Sequence, residues 1–207
     1  TAEDPATSRL GESLYAFLPR SILGGLRSAL GIEVDRLRKR GRAPWHPSSR
    51  IVRWTLSLAT LYGAAFLWRG LVGVAAVAAM GLVAVLLLES INYIEHYGLV
   101  RRQQQGPDGR MRPEKVRPHH SWNSSHRVSN FMLINLARHS DHHAHASRSW
   151  EQLRHLDKSP QMPTGYGAML LLAFVPPIWF MVMDPKVAEW RAVFLDDSAD
   201  IHPAAVT

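Results

Sequence analysis

The fold is decided by the stretch from Ile51 to Ile91, which is almost entirely apolar. It reads IVRWTLSLATLYGAAFLWRGLVGVAAVAAMGLVAVLLLESI. A membrane-spanning helix needs roughly 20 mostly apolar residues, with about 17 to 25 tolerated. Arg69 and Gly70 interrupt the run, and no charged residue occurs between Leu71 and Leu88. The sequence therefore predicts two membrane-spanning helices joined by a very tight turn at Arg69 and Gly70. Two buried helices of a soluble protein are the weaker alternative, because the second run has no polar face.

Basic residues flank this apolar run on both sides, in residues 27–50 and 101–127. Lysine and arginine beside a span favour the cytoplasmic side, so both ends of the predicted hairpin are expected in the cytoplasm. The net charge of +7 could also indicate nucleic-acid binding. Its position around an apolar block instead favours a lipid bilayer and an acidic protein partner, and no nucleic-acid partner is predicted.

The expected fold class is all-α, an integral membrane helical bundle with a histidine-rich helical region on its cytoplasmic side. Four segments are predicted: residues 1–50 as linker helices in the cytoplasm or at the membrane interface, 51–95 as the transmembrane hairpin, 96–160 as a cytoplasmic metal-binding region, and 161–207 as an interfacial apolar segment with a C-terminal tail.

Hydrophobic periodicity and helix breakers predict the remaining elements. The predictions are an amphipathic helix over Ser8 to Leu30, divided at Pro19 and at Gly24 and Gly25; a loop over Gln103 to Pro118; one helix over Val128 to Leu153; and an apolar segment over Tyr166 to Met183, broken at Pro176 and Pro177.

The chain has eleven histidines and no cysteine, which favours imidazole chemistry over thiolate metal sites or disulfides. Three of the histidines, His139, His142 and His143, occur within the sequence RHSDHHA, which begins at Arg138. On a helix, positions i, i+3 and i+4 share one face, so the three rings would converge. A metal ion would explain that convergence, and imidazole suits iron, zinc, copper or nickel. A solvent-exposed histidine-rich stretch is the alternative.

A second motif, NYIEHYGL at Asn92 to Leu99, follows the uncharged run. Ionisable groups at the end of a membrane helix are candidates for function, so His96 is a candidate ligand for the same metal. A third motif, HHSWN, begins at His119. Adjacent residues do not share a helical face, so His119 and His120 are predicted to support the ligands or the fold instead of binding metal together.

These motifs resemble the bacterial alkane monooxygenase family. Asn92 to Leu99 is similar to that family's signature, and Arg138 to Ala144 is similar to its third histidine box. Further similar segments are Glu3 to Ala6, Gly11 to Ser13, Phe17 to Arg20, His119 to Asn123 and Gly165 to Asp184.

In that family nine histidines hold two irons at the cytoplasmic end of a six-span bundle. The resemblance makes His96, His139, His142 and His143 iron ligands. The family's first and second histidine boxes have no counterpart here. The chain is therefore expected to be a C-terminal half, with five further ligands upstream of Thr1.

The resemblance also implies an activity, in which O2 is used to oxidise a medium- or long-chain n-alkane to the primary alcohol. Electrons would come from rubredoxin, a separate protein, and the enzyme would lie in the bacterial inner membrane with its histidines on the cytoplasmic side. Glu95 and Asp141 are predicted to accept hydrogen bonds from the ligands, with surface salt bridges as the alternative. Two rival functions remain: a fatty-acyl desaturase, hydroxylase or xylene-type monooxygenase, and a zinc-binding membrane transporter.

Overall fold

The computed structural model describes residues 4–145 and 147–196, with side chains as far as residue 193. Its α-helices are α1 (Leu14–Arg38), α2 (Arg50–His96), α3 (Arg127–Met132), α4 (His139–Ala144), α5 (Tyr166–Ala173) and α6 (Pro176–Asp196). Two 3-10 helices, Pro118–His120 and Trp150–Gln152, and two short strands, β1 (Gln103–Gln105) and β2 (Met111–Pro113), complete these elements. The chain is therefore mostly helical, as its sequence predicts.

The chain divides into two compact units, which are described separately. One is Leu18–Glu89, and the other comprises the described residues of Thr1–Phe17 and Ser90–Thr207.

In the first unit, α2 is interrupted at the two residues where the sequence predicts a turn. Arg69 has φ −139° and ψ 17°, and Gly70 has φ 59° and ψ −144°. This conformation of Gly70 is open to glycine and strained for other residues. A Cβ atom on Gly73 would lie 2.3 Å from the carbonyl oxygen of Ala65, so the backbone after the turn passes close to the backbone before it.

Most of the apolar surface of α2 before its C-terminal turn is exposed. The helix is long and apolar enough to cross a membrane. Within it, an apolar stretch of 18 residues is only 6% buried. Leucines on both sides of the turn, such as Leu67 and Leu71, expose most of their side chains. Apolar surface of this extent is costly in water and normal against lipid. The N-terminus of α2 is capped within the same unit, because the Glu33 carboxylate accepts the backbone N–H of Arg50 at 2.7 Å.

Helix α1 corrects one prediction, since it is continuous through Pro19 and the Gly24–Gly25 pair. Pro19 lies in the second turn, where its missing N–H affects the carbonyl of Tyr15 near the helix start. Each glycine costs only about 1 kcal/mol relative to alanine, so the flanking helix-forming residues maintain the helix.

The single helix predicted over Val128 to Leu153 is also wrong. The chain forms α3 and α4 there, separated at Ile134 (φ 51°) and Asn135 (φ 61°), which adopt left-handed backbone. The N–H of Asn135 closes the turn by donating to the carbonyl of Asn130 at 2.7 Å. Periodicity and the lack of glycine and proline did not reveal this break, because asparagine is among the few residues that tolerate such a turn.

Two further regions match or modify the predictions. The apolar segment is broken as predicted, because α5 ends at Ala173 and α6 begins at Pro176. Part of the predicted loop instead forms an antiparallel hairpin, in which Gln104 pairs with Arg112. The hairpin and an isolated parallel bridge between Asn123 and Gln161 depart from the all-α prediction.

The core of the second unit consists of aromatic side chains around the C-terminal turn of α2. Tyr93 and Tyr97 are fully buried, and both rings lie 5.2 Å from the ring of Trp179 on α6. The Tyr97 hydroxyl donates to Asp184 on α6 at 2.6 Å. This packing fixes the segment that carries His96.

Candidate metal centre

Three histidines from two helices meet at one point. His96 ends α2, and His139 and His143 lie one turn apart on α4. One ring nitrogen from each can be chosen so that all three atoms lie within 4.8 Å of one another. Ring centroids are 5.5 Å apart for His96 and His139, 5.3 Å for His96 and His143, and 4.3 Å for His139 and His143. We call these residues the three-histidine group.

The hydrogen bonds of this group direct Nε2 towards the common point. Nδ1 of His96 lies 3.3 Å from the carbonyl oxygen of His120, an acceptor that calls for a proton on Nδ1. His139 bonds to the carbonyl of Leu136, while its Nε2 lies 2.7 Å from Nε2 of His143. The Leu136 bond therefore uses Nδ1 of His139. Nδ1–H bound to a carbonyl leaves Nε2 with a lone pair, which is the usual arrangement of a metal-binding histidine.

Burial keeps these rings neutral. It lowers the pKa of His96 to about 4 and lowers the pKa of His139 well below its ordinary value, with the neighbouring histidines as a second cause. Burial and His142 also lower the pKa of His143. A neutral imidazole is the form that binds a metal, so the donor set fits a cation held by several nitrogens.

Glu95 lies directly beside the group, and its role as an acceptor for a ligand N–H stays a prediction. Its Oε2 is 3.1 Å from Nε2 of His139, and its side chain also hydrogen-bonds to Tyr166 of α5. Tyr166 was not found by sequence reasoning, because it lies 71 positions beyond Glu95 and belongs to no histidine motif. The three side chains Tyr166, Glu95 and His139 thus form a buried polar chain that ends at the three-histidine group.

Asp141 anchors the helix that carries two of these histidines. Its carboxylate accepts hydrogen bonds from the Arg148 side chain at 2.6 Å and from the Arg154 backbone at 2.8 Å, and it contacts Nδ1 of His145 at 3.0 Å. These bonds connect α4 to the following segment. Asp141 is 1% exposed, and the N–H groups and the Arg148 charge lower the pKa of its carboxyl although burial opposes them.

His142 lies at the edge of the site. Its ring centroid is 5.9 Å from those of His139 and His143. It is thus near the three-histidine group without contributing a nitrogen to the common point. Its role as a ligand stays a prediction.

Glu114, His119 and His120 form a second group that also brings ligand atoms within 4.8 Å of one another. Nδ1 of His120 accepts the backbone N–H of Arg117 at 2.9 Å, so the proton of the neutral ring lies on Nε2. That N–H faces Oε1 of Glu114 at 3.0 Å. Burial lowers the pKa of His120 to about 4, which keeps the ring neutral. The His120 ring is therefore committed to hydrogen bonds, and the second group is a poorer metal site than the first.

A cavity of about 230 Å³ adjoins the three-histidine group. His96, His139 and His143 line it, and so do the apolar side chains of Leu99 and Val116. The cavity places apolar surface directly beside the candidate metal ligands.

These features define a class: a helical protein with a membrane-compatible apolar helix and a cluster of histidines able to bind a metal ion. The chain belongs to the fatty acid desaturase family, which it matches over residues 1–181. This is a family of membrane-associated enzymes with histidine boxes, so the chain is a membrane protein of that family.

Its relatives agree with the resemblance seen in the motifs. The chain is 47% identical to alkane 1-monooxygenase 1 of Pseudomonas aeruginosa over 93% of its own length and 49% of that protein. It is 42% identical to alkane 1-monooxygenase of Acinetobacter baylyi, over 98% of the chain and 48% of that protein. The xylene/toluene monooxygenase hydroxylase component of Pseudomonas putida is 29% identical over 92% of the chain and 49% of that protein. The chain thus spans about half the length of these curated relatives.

Proposed function

We propose that the full-length protein hydroxylates medium- or long-chain n-alkanes to primary alcohols, with O2 as the oxidant. The observation that carries this proposal is the three-histidine group. It is formed by the two motifs that resemble alkane monooxygenases, in a chain similar to such enzymes over nearly its whole length.

The metal is proposed to be a pair of irons, bound by His96, His139, His142 and His143 together with ligands from the rest of the protein. Imidazole nitrogen suits iron as well as zinc, so the donor set supports the assignment without naming the metal. When bound, such a centre supplies the O2 activation that oxidation of a terminal C–H bond requires. The described residues provide no side chain with comparable oxidising chemistry.

The residues of this chain have defined tasks in the proposal. His96 and His139 hold Nε2 towards the centre, because backbone carbonyls accept their Nδ1 protons. Glu95 lies beside Nε2 of His139, and Tyr166 hydrogen-bonds to Glu95, so both side chains adjoin the proposed metal position. The hydrogen bonds of Asp141 to Arg148 and Arg154 hold α4 against the segment that follows it.

An n-alkane is the proposed substrate because the relatives are alkane monooxygenases and because apolar side chains share the lining of the cavity with the histidines. Alkanes partition into the bilayer, and a chain with lipid-compatible surface can receive them without passage through water. Leu99 and Val116 line the cavity next to the histidines, which supports an apolar ligand at the reacting position.

The proposed partners and location follow the distribution of charge. Rubredoxin would deliver electrons from the cytoplasm, and the 207 residues contain no cysteine with which a rubredoxin iron site could be built. The protein would lie in the bacterial inner membrane as a multi-pass chain. Reporter fusions after Gly41 and Gln104 should both be cytoplasmic, and a fusion at Gly70 should lie outside; a cytoplasmic reporter at Gly70 would contradict the hairpin.

The activity can be tested with the full-length protein in membranes, supplied with octane, reduced rubredoxin and 18O2. The expected product is 1-octanol carrying one 18O atom. The test is repeated with p-xylene and with a saturated fatty acyl substrate. Turnover confined to p-xylene, or desaturation of the acyl chain without octanol, would contradict the proposal, as would purified protein that contains zinc and no iron.

A further inference from the structure

The backbone carbonyl of His120 sets the orientation of His96. It lies 3.3 Å from Nδ1 of His96 and thus holds the proton on that nitrogen. Nε2 of His96 is thereby left to bind metal, since a neutral imidazole carries one ring proton. The position of this carbonyl therefore decides which nitrogen of His96 is available.

The side chain of His120 holds that carbonyl in place. Its ring spans the distance between the backbone N–H of Arg117, at 2.9 Å, and Oε1 of Glu114, at 3.0 Å. The side chains of His120 and Glu114 are only 5% and 4% exposed. A residue held at both ring nitrogens, in a short 3-10 helix, has little freedom to rotate its own carbonyl away from His96.

Glu114 fixes this arrangement to the hairpin. The same Oε1 atom that contacts His120 also accepts the backbone N–H of Arg102 at 2.9 Å. The backbone carbonyl of Glu114 accepts the Arg101 guanidinium, with Nε at 2.9 Å. Arg101 follows the His96 turn by a few residues, so these bonds join the segment before the hairpin to the segment after it.

We propose that Glu114 is a positioning residue for the metal centre, which acts through the His120 ring and the His120 carbonyl on His96. The proposal deepens the function above, because it explains how one ligand is held for metal, and it rests on His96 being a ligand. In this role the essential feature of Glu114 is one acceptor oxygen at the position of Oε1. Its negative charge is secondary.

Removing that oxygen should weaken metal binding without removing a ligand. If His120 loses its Nε2–H partner, its carbonyl is free to move, and His96 can adopt the tautomer in which Nε2 is protonated and unable to bind. Partners that orient metal-binding histidines typically contribute about 10- to 100-fold in metal affinity. A loss in that range is expected for Glu114→Ala.

Three variants of the full-length protein separate position from charge. Glu114→Gln keeps an oxygen where Arg102 N and His120 Nε2 need it. Glu114→Asp keeps the charge but shortens the side chain by one methylene, so its oxygen no longer reaches the position of Oε1. Glu114→Ala removes both. Asp108→Ala is the matched control, because it removes an exposed carboxylate from the same hairpin.

The measurements are iron per chain after purification, the rate of iron release to a chelator, and the ligand-field spectrum of the cobalt-substituted protein. Glu114→Gln and Asp108→Ala should match the parent protein. Glu114→Asp and Glu114→Ala should release metal about tenfold faster or more, with an altered cobalt spectrum. If Glu114→Ala does not fold, the rates of metal release from Glu114→Asp and Glu114→Gln still separate the position of the oxygen from its charge.

Two results would overturn the proposal. One is retention of metal by Glu114→Asp and Glu114→Ala at the parent rate. The other is loss of metal in Glu114→Gln equal to that in Glu114→Ala, which would make the carboxylate itself a ligand or an essential charge. Failure of the proposed function has a different signature, because the parent protein would then contain no iron before any substitution is made.

Discussion

Two histidine groups in one unit of this molecule differ in the direction of their hydrogen bonds. In the three-histidine group, Nδ1 of His96 and of His139 donates to a backbone carbonyl, so Nε2 carries a lone pair. In the second group, Nδ1 of His120 accepts a backbone N–H, so Nε2 carries the proton and faces Glu114. Spacing alone selects both groups as possible metal sites.

The difference lies in the backbone group that each of these three rings faces. A carbonyl opposite Nδ1 leaves Nε2 available to a metal, and an N–H opposite Nδ1 makes Nε2 a hydrogen-bond donor. The two groups are also connected, because the carbonyl that orients His96 belongs to His120. The second group thus supports the first instead of duplicating it.

The largest effect is expected when a member of the three-histidine group is removed. In the full-length protein, His139→Ala or His143→Ala should reduce octane hydroxylation at least 1000-fold, an estimated cost of about 4 kcal/mol in transition-state stabilisation. The reason is loss of an imidazole from a centre that needs several. Product formation by gas chromatography checks this.

The control for that pair is His155→Ala, which removes a histidine paired with Asp157 away from the site. It should retain parent activity. If His143→Ala remains as active as His155→Ala, the three-histidine group does not bind the catalytic metal, and its contrast with the second group has no functional meaning.

A smaller effect is expected at the anchor of α4. Asp141→Ala should destabilise the protein by about 3 kcal/mol, because it removes the buried end of an ion pair and leaves the Arg148 guanidinium and the Arg154 N–H without this acceptor. The melting temperature and the iron content should both fall. The control is Asp157→Ala, because the Asp157 carboxylate is 93% exposed. This substitution should change neither the melting temperature nor the iron content. Equal melting temperatures for the two variants would contradict the anchoring role of Asp141.

The smallest effect is expected at the hydroxyl of Tyr166. Tyr166→Phe removes one hydrogen bond to Glu95 and should cost about 1 kcal/mol of stability, with iron retained. Hydroxylation should fall a few-fold, since Glu95 keeps its contact with His139 but loses the group that orients it. Tyr15→Phe, which removes an exposed hydroxyl bonded to the carbonyl of Phe174, is the matched control. Identical turnover in the two variants would contradict the role of Tyr166.

The sequence predicted the parts of this arrangement that depend on local spacing. The turn at Arg69 and Gly70 is visible because a charge and a glycine interrupt an apolar run. His139 and His143 meet because i and i+4 positions share a helical face, and α4 is long enough to hold both. His96 was found through its motif at the end of the same apolar run.

The sequence could not predict the parts that depend on distant contacts or on a single backbone angle. The left-handed residues Ile134 and Asn135 separate α3 from α4 without any glycine or proline signal. Tyr166 reaches Glu95 from a different helix, and Glu114 reaches His120 only after the hairpin has formed. The tautomers of His96 and His120 depend on which backbone group each ring faces, and a pattern of residue types does not contain that information.

Metal analysis of the purified full-length protein tests the difference between the two groups most directly, with the parent, His143→Ala and Glu114→Gln compared side by side. The account predicts about two irons per chain in the parent and in Glu114→Gln, and near-complete loss in His143→Ala. Zinc in place of iron in the parent, or equal metal loss from Glu114→Gln and His143→Ala, would contradict it.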